Sequence, residues 1–142
     1  MQYTLAVGCM ICSYFTMPLW FLLMAYTGHD THTLSAIICM IIVATLKHIV
    51  PKQRPPQRQR VPDLSFEHVN PMHSFPSGDV AQAAVIWMSI EYYYLGMLLV
   101  VFSAVGRIYY RRHDLVDIIG GITCGVTAHI IACTLIGFNQ PL

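Results

Sequence analysis

The chain has 142 residues, of which 56% are hydrophobic and only 11% are charged, and its mean hydropathy is +0.56. Average globular chains carry about a quarter charged residues, so this composition excludes an ordinary water-soluble surface and favours an integral membrane protein. The formal net charge of +1 predicts no nucleic-acid partner.

Five apolar stretches predict an all-α transmembrane bundle of about five helices, in one membrane-embedded domain over residues 1–142. The first stretch lacks a basic leader and a cleavage site, so we expect it to be retained as a helix, kinked at Pro18. A span takes about 20 residues, which the first and fifth stretches satisfy and the other three do not. The predicted helices cover residues 1–26, 33–50, 77–94, 95–110 and 115–138.

The second and third predicted helices are joined by residues 51–76, a stretch too polar and too rich in proline to span. Since the helices alternate in direction, all eight Lys and Arg residues fall at one face of the bundle. Two causes of this asymmetry stay open: orientation by the positive-inside rule and a site for an anion. The five cysteines lie in apolar stretches, which indicates packing rather than metal binding or redox chemistry.

Three polar clusters converge on the basic face. Arg offers a planar fork that matches phosphate oxygens, Lys adds a point charge, and a helix start favours an anion. A carboxylate four residues after a histidine can fix its tautomer and make the other ring nitrogen a better nucleophile. The pattern therefore predicts phosphoryl transfer through a phosphohistidine, with the active site at one membrane face. The clusters are Lys47 with Arg54-Pro55, Pro76-Ser77-Gly78-Asp79, and Arg107 with His113 and Asp117.

Each part of this pattern also has a structural interpretation. Lys47 can extend to the interface from the end of a helix, and Ser77 can be a helix N-cap. A histidine and an aspartate at helical spacing often form a structural hydrogen bond. Arg111 and Arg112 fit topology or headgroup charges.

The combined pattern resembles the type-2 phosphatidic acid phosphatase superfamily, which includes the vanadium haloperoxidases. That family's signature is Lys-x6-Arg-Pro, then Pro-Ser-Gly-His, then Ser-Arg-x5-His-x3-Asp. The resemblance covers residues 47–117, and the flanking helices match only as apolar segments.

The resemblance implies a role for each matching residue. His113 would attack phosphorus, Asp117 would orient it, and Asp79 would take the place of the acid that protonates the leaving group. The resemblance implies neither a metal ion nor a cofactor. The residues that would hold the phosphate are Lys47, Arg54, Ser77, Gly78 and Arg107.

The sequence departs from the family at three points. Asp79 stands where the family has histidine, and an aspartate serves as an acid only if its pKa lies well above about 4. His73 is a second candidate for this proton donor. Gly106 replaces the serine before the arginine, and five helices are predicted where membrane members usually have six.

The sequence thus predicts a multi-pass integral-membrane lipid phosphatase. Its substrate would be a phospholipid or a polyprenyl phosphate, with a phosphate monoester or diphosphate headgroup. The alternative is a catalytically degenerate member that binds anionic lipid or serves as a small subunit of a membrane complex.

Overall fold

The computed structural model describes Leu22, Tyr26 and residues 30–56, 72–90 and 92–137. In these ranges the fold is all-α, with four helices and no strand. The predicted first helix lies outside the described residues, apart from Leu22 and Tyr26, so it stays a prediction. The helices are α1 (Asp30–Ile49), α2 (Gly78–Ser89), α3 (Tyr93–Tyr109) and α4 (Leu115–Gly137).

Helix α2 lies at the centre and packs against the other three helices. Its small residues Ala81, Ala83 and Ala84 are buried, so neighbouring backbones approach closely. One core cluster joins α1, α2 and α4, and a second joins α2, α3 and α4. Their buried members are Ala36, Cys39, Val43, Ala81, Val85, Cys124 and Ala128 in the first, and Val80, Ala83, Ala84, Val100 and Ile118 in the second.

Helix α4 lies along this core with a stripe of glycines. A Cβ on Gly121 would lie 2.6 Å from the carbonyl oxygen of Ser77, and one on Gly125 would lie 2.7 Å from the Ala84 side chain. Only glycine permits this approach of α4 to α2. The stripe therefore fixes where the first turn of α4 lies relative to the start of α2.

The boundary between the third and fourth predicted helices was wrong. Helix α2 ends at Ser89, and Ile90 has extended backbone angles, so Tyr93 and Tyr94 belong to α3 instead. The two helices meet closely here, since a Cβ on Gly96 would lie 2.7 Å from the Cα of Trp87.

Two described helices, α1 with 20 residues and α4 with 23, are long and apolar enough to cross a membrane. Helix α3 is apolar but has 17 residues, and α2 has 12. At about 1.5 Å per residue, α2 is shorter than the hydrocarbon layer. It therefore forms a buried core that the longer helices surround.

Candidate active site

Four helix ends meet at one end of the bundle: the C-termini of α1 and α3 and the N-termini of α2 and α4. The backbone N–H of Ser77 donates to the carbonyl of Asp117 at 3.0 Å, which joins α2 to α4. A guanidinium nitrogen of Arg107 lies 2.8 Å from a carboxylate oxygen of Asp79, which joins α3 to α2. These two contacts bring the second and third predicted clusters together. Arg54, from the first cluster, donates to the carbonyl of Arg112 at 3.5 Å, so all three clusters are neighbours in space.

The turn between α3 and α4 brings His113 back towards Arg107. Arg111 adopts a left-handed conformation with φ of 52°, which reverses the chain. The N–H groups of Arg112 and His113 then donate to the carbonyl of Arg107 at 3.0 and 3.4 Å. This turn places the predicted nucleophile beside the arginine six positions earlier.

His113 is buried, with 4% of its surface exposed. Its Nδ1 atom lies 3.4 Å from Oδ2 of Asp117 but makes no hydrogen bond with any described residue. Burial, followed by the charges of Arg54 and Arg107, lowers the pKa of His113 to about 4, while Asp117 and Asp79 act in the opposite direction. The imidazole is therefore neutral at physiological pH, as a nucleophile has to be.

Asp117 is fully buried and is held by several groups besides His113. Lys52 donates to its Oδ1 at 2.7 Å, and the hydroxyl of Ser74 donates to its Oδ2. Asp114 and Asp117 cap the first turn of α4 reciprocally, each carboxylate accepting from the other's N–H at 3.1 and 3.0 Å. Asp117 therefore connects the predicted nucleophile to the loops that carry Lys52 and Ser74.

Lys52 also lies 2.6 Å from Asp114. Burial acts to lower the pKa of Lys52, but its hydrogen bonds to Asp114 and Asp117 outweigh this and raise it. Burial likewise acts to raise the pKa of Asp114, whereas the bonds from Lys52 and from the N–H of Asp117 bring it below its usual value. Lys52 and Asp114 therefore both stay charged at neutral pH.

The predicted phosphate-binding cations lie around the same loops. Lys47 Nζ donates to the carbonyl of His73 at 3.4 Å, and Arg54 donates to the same carbonyl at 3.3 Å and to that of Arg112 at 3.5 Å. Burial and the neighbouring charges of Arg112 and Arg107 lower the pKa of Arg54. Such crowding of guanidinium groups is typical of a site that takes an anion.

Arg112 departs from its interpretation as a surface charge. Only 5% of its surface is exposed, whereas Arg111 is exposed as expected. Arg112 therefore belongs to the buried cationic cluster.

Ser77 and Gly78 lie at the start of α2. Ser77 occupies the N-cap position, but its buried hydroxyl makes no capping bond and no hydrogen bond with any described residue. A Cβ on Gly78 would meet only the Val43 side chain, at an ordinary 3.6 Å. Helix packing therefore does not require glycine here, and the hydroxyl is available to a ligand.

Sequence reasoning missed Lys52, Ser74 and Asp114 as members of this site. The Asp-x-x-Asp pattern at residues 114–117 was a readable signal for the reciprocal cap. Lys52 and Ser74 carry no such signal, because they reach Asp117 across 65 and 43 positions of sequence. His73, the second candidate acid, has its ring against that of His48, with centroids 5.3 Å apart.

No cluster of three or more metal-binding side chains occurs in the part of the chain that the structure describes. In comparisons with known proteins, the family model of the PAP2 superfamily matches residues 31–141. No curated protein and no solved structure matches the chain.

Proposed function

The chain belongs to the PAP2 superfamily, and from this premise and the site geometry we propose that it is an integral-membrane lipid phosphatase. Membership in the family indicates phosphatase-type activity. The substrate that we propose carries a phosphate monoester or diphosphate headgroup. The observation that carries the proposal is the buried His113, neutral at physiological pH, beside Arg54 and Arg107.

The proposed membrane location is supported by the outer surface of the helices. Large apolar side chains are exposed along α1, α3 and α4, and water would solvate such a surface poorly. In a bilayer the same side chains would contact lipid. They include Ile37, Met40, Ile41, Leu98, Val101, Phe102, Val105, Ile119, Ile130 and Leu135. We propose a multi-pass arrangement with the site at the headgroup level of one face.

In the proposed reaction, Lys47, Arg54 and Arg107 hold the phosphate oxygens, together with the Ser77 hydroxyl and the Gly78 N–H. The Nε2 atom of His113 attacks phosphorus, so that a P–N bond forms as the bond to the lipid oxygen breaks. The leaving oxygen takes a proton, and water then cleaves the P–N bond to release phosphate. The fixed cations stabilise the charge of both transition states.

Asp117 takes the orienting role in this proposal, and Asp79 stands where the acid would act. Asp79 forms an ion pair with Arg107 at 2.8 Å, which engages one of the cations that would hold phosphate. Substrate would have to separate this pair. A protonated Asp79 could then give its proton to the leaving oxygen.

The test is phosphate release by the purified full chain. The substrate panel is phosphatidate, lysophosphatidate and a polyprenyl diphosphate, each with and without a chelator. We expect release that vanadate inhibits and that His113→Ala abolishes. His129→Ala is the matched control, because His129 lies on α4 twelve positions after Asp117, about 18 Å along the helix, and we expect it to keep activity. Release that survives His113→Ala would contradict the mechanism.

The ion pair between Asp79 and Arg107 also favours a second candidate function. If Arg107 stays paired with Asp79, the site would bind an anionic lipid without hydrolysing it. The protein would then be a lipid-binding family member or a small subunit of a membrane complex. Thermal stabilisation by lipid phosphate, with no release from any lipid of the panel between pH 4 and 8, would support this candidate.

A further inference from the structure

We propose that Lys52 is a positioning residue for the reaction, which holds the Asp117 carboxylate towards His113 and balances its charge. This inference rests on the proposed function. Lys52 occupies one of the six unspecified positions of the Lys-x6-Arg-Pro signature, between Lys47 and Arg54. Its role follows from where its backbone and its side chain are held.

The backbone of Lys52 is held on both sides. Its N–H donates to the carbonyl of Met72 at 2.9 Å, and its carbonyl accepts from the N–H of Ser74 at 3.0 Å. Ser74 in turn donates its hydroxyl to Asp117. The segment that carries Lys52 and the segment that leads to Ser77 are thus joined next to Asp117, the residue that would orient His113.

The side chain of Lys52 reaches two carboxylates. Its Nζ lies 2.7 Å from Oδ1 of Asp117 and 2.6 Å from Oδ2 of Asp114. With Oδ1 bound to Lys52, the other oxygen of Asp117 stays on the side of His113 Nδ1, 3.4 Å away. A fully buried carboxylate is costly unless it is paired, and Lys52 supplies that pairing.

The charge of Lys52 also affects His113 through Asp117. The charged groups that face His113 are Arg54 from the loop after α1, Arg107 from α3, Asp117 from α4 and Asp79 from α2. The first two disfavour an imidazolium, and the two carboxylates favour it. Since Lys52 offsets the charge of Asp117, it helps to keep the imidazole neutral.

Removal of this charge has a defined sign. Without Lys52, the carboxylate of Asp117 is uncompensated and stabilises the imidazolium, so the pKa of His113 rises from about 4 towards 6.5. In the pH profile of kcat/KM, the fall in activity on the acidic side (the acid limb) then moves to higher pH. Because Lys52 is not among the proposed phosphate ligands, kcat should fall about 100-fold through misplacement of the imidazole, with KM nearly unchanged.

The experiment compares Lys52→Met, Lys52→Arg and Lys47→Met in the full-length protein. We expect Lys52→Met to move the acid limb to higher pH and to lower kcat. Lys52→Arg should have its acid limb at the same pH as the wild type. Lys47→Met is the matched control, because Lys47 is a proposed phosphate ligand, and it should raise KM without moving the limb.

A purely structural role for Lys52 predicts a different result. Lys52→Met would then lose stability and activity together, with its acid limb unmoved, and this would overturn the inference. In an Asp117→Asn background, Lys52→Met should shift the limb no further. If Lys52→Met does not fold, the test uses Lys52→Arg. A folded arginine variant whose acid limb lies at higher pH than that of the wild type would contradict the proposed charge balance.

A second measurement separates this inference from the proposed function. Vanadate binding to His113 needs the neutral imidazole, and thermal stabilisation by vanadate can be followed against pH without turnover. If no lipid is hydrolysed but the pH dependence of this stabilisation shifts in Lys52→Met, the phosphatase proposal fails while the control of His113 by Lys52 through Asp117 stands. If vanadate stabilises the wild type and Lys52→Met with the same pH dependence, the role of Lys52 is contradicted, whereas the proposed function is unaffected.

Discussion

Asp79 is the residue whose chemistry departs most from the rest of the site. It lies in the first turn of α2 and forms an ion pair with Arg107, one of the proposed phosphate ligands. Asp79→His removes this carboxylate and supplies a group that titrates near pH 6.5. We expect higher kcat/KM near neutrality, measured as phosphate release across pH 5 to 8.

Asp79→Asn is the control for this exchange. It removes the same negative charge but supplies no titrating group, so it should bind phosphate more tightly without gaining turnover. A loss of activity in Asp79→His would mean instead that the site works around the aspartate.

The buried His113 predicts how stability depends on pH. Its pKa is about 4 in the folded protein and about 6.5 when exposed, so the unfolded chain binds a proton more readily. The contribution of His113 to stability is therefore fully present above pH 6.5 and is lost as pH falls through 4. Thermal unfolding between pH 7 and 4 should show a fall in midpoint that is smaller in His113→Asn, where no ring titrates.

At the scale of the elements, the glycine stripe of α4 holds the site together. Gly125→Ala would place a methyl group against the carbonyl of Ala81 and 2.7 Å from the Ala84 side chain. We expect a loss of about 1–3 kcal/mol, together with a higher KM because the start of α2 is displaced. Thermal unfolding in detergent and substrate titration measure the two effects.

Gly137→Ala is the matched control, since a Cβ at Gly137 meets nothing within 4 Å. This variant should unfold at or slightly above the temperature of the wild type, because alanine is the better helix former. Equal stability of the Gly125 and Gly137 variants would contradict the packing argument.

The helices show which local features a sequence reveals. Hydropathy predicted the ends of α1 and α4 to within a few residues, because polar residues flank both apolar runs. The break between α2 and α3 was predicted after Tyr94 instead of after Ser89, because three tyrosines follow Glu91 and no proline or glycine marks the bend. The residues of the site came from motif spacing, whereas Lys52 and Ser74 reach it only through tertiary contacts.

At the scale of the whole molecule, the arrangement of helix ends predicts a topology. Gln53 lies at the site face, and Gly137 ends α4, whose 23 residues extend about 34 Å, enough to cross the hydrocarbon layer. With the five native cysteines replaced, Gln53→Cys and Gly137→Cys should react with a membrane-impermeant maleimide from opposite sides of sealed vesicles.

Arg111→Cys provides the internal control for this labelling. Arg111 is exposed in the turn before α4, so it should react from the same side as Gln53→Cys. Reaction of Gln53→Cys and Gly137→Cys from one side would show that α4 does not span.

The hydrogen bonds that join Lys52 to Met72 and Ser74 close the chain into a ring at the site face. Because Lys52 and Met72 are bonded to each other, the entropic cost of closing the segment between them rises only slowly with its length. Doubling such a loop costs about 0.6 kcal/mol. We therefore expect that a purification tag inserted between residues 57 and 71 leaves the helices and this junction in place.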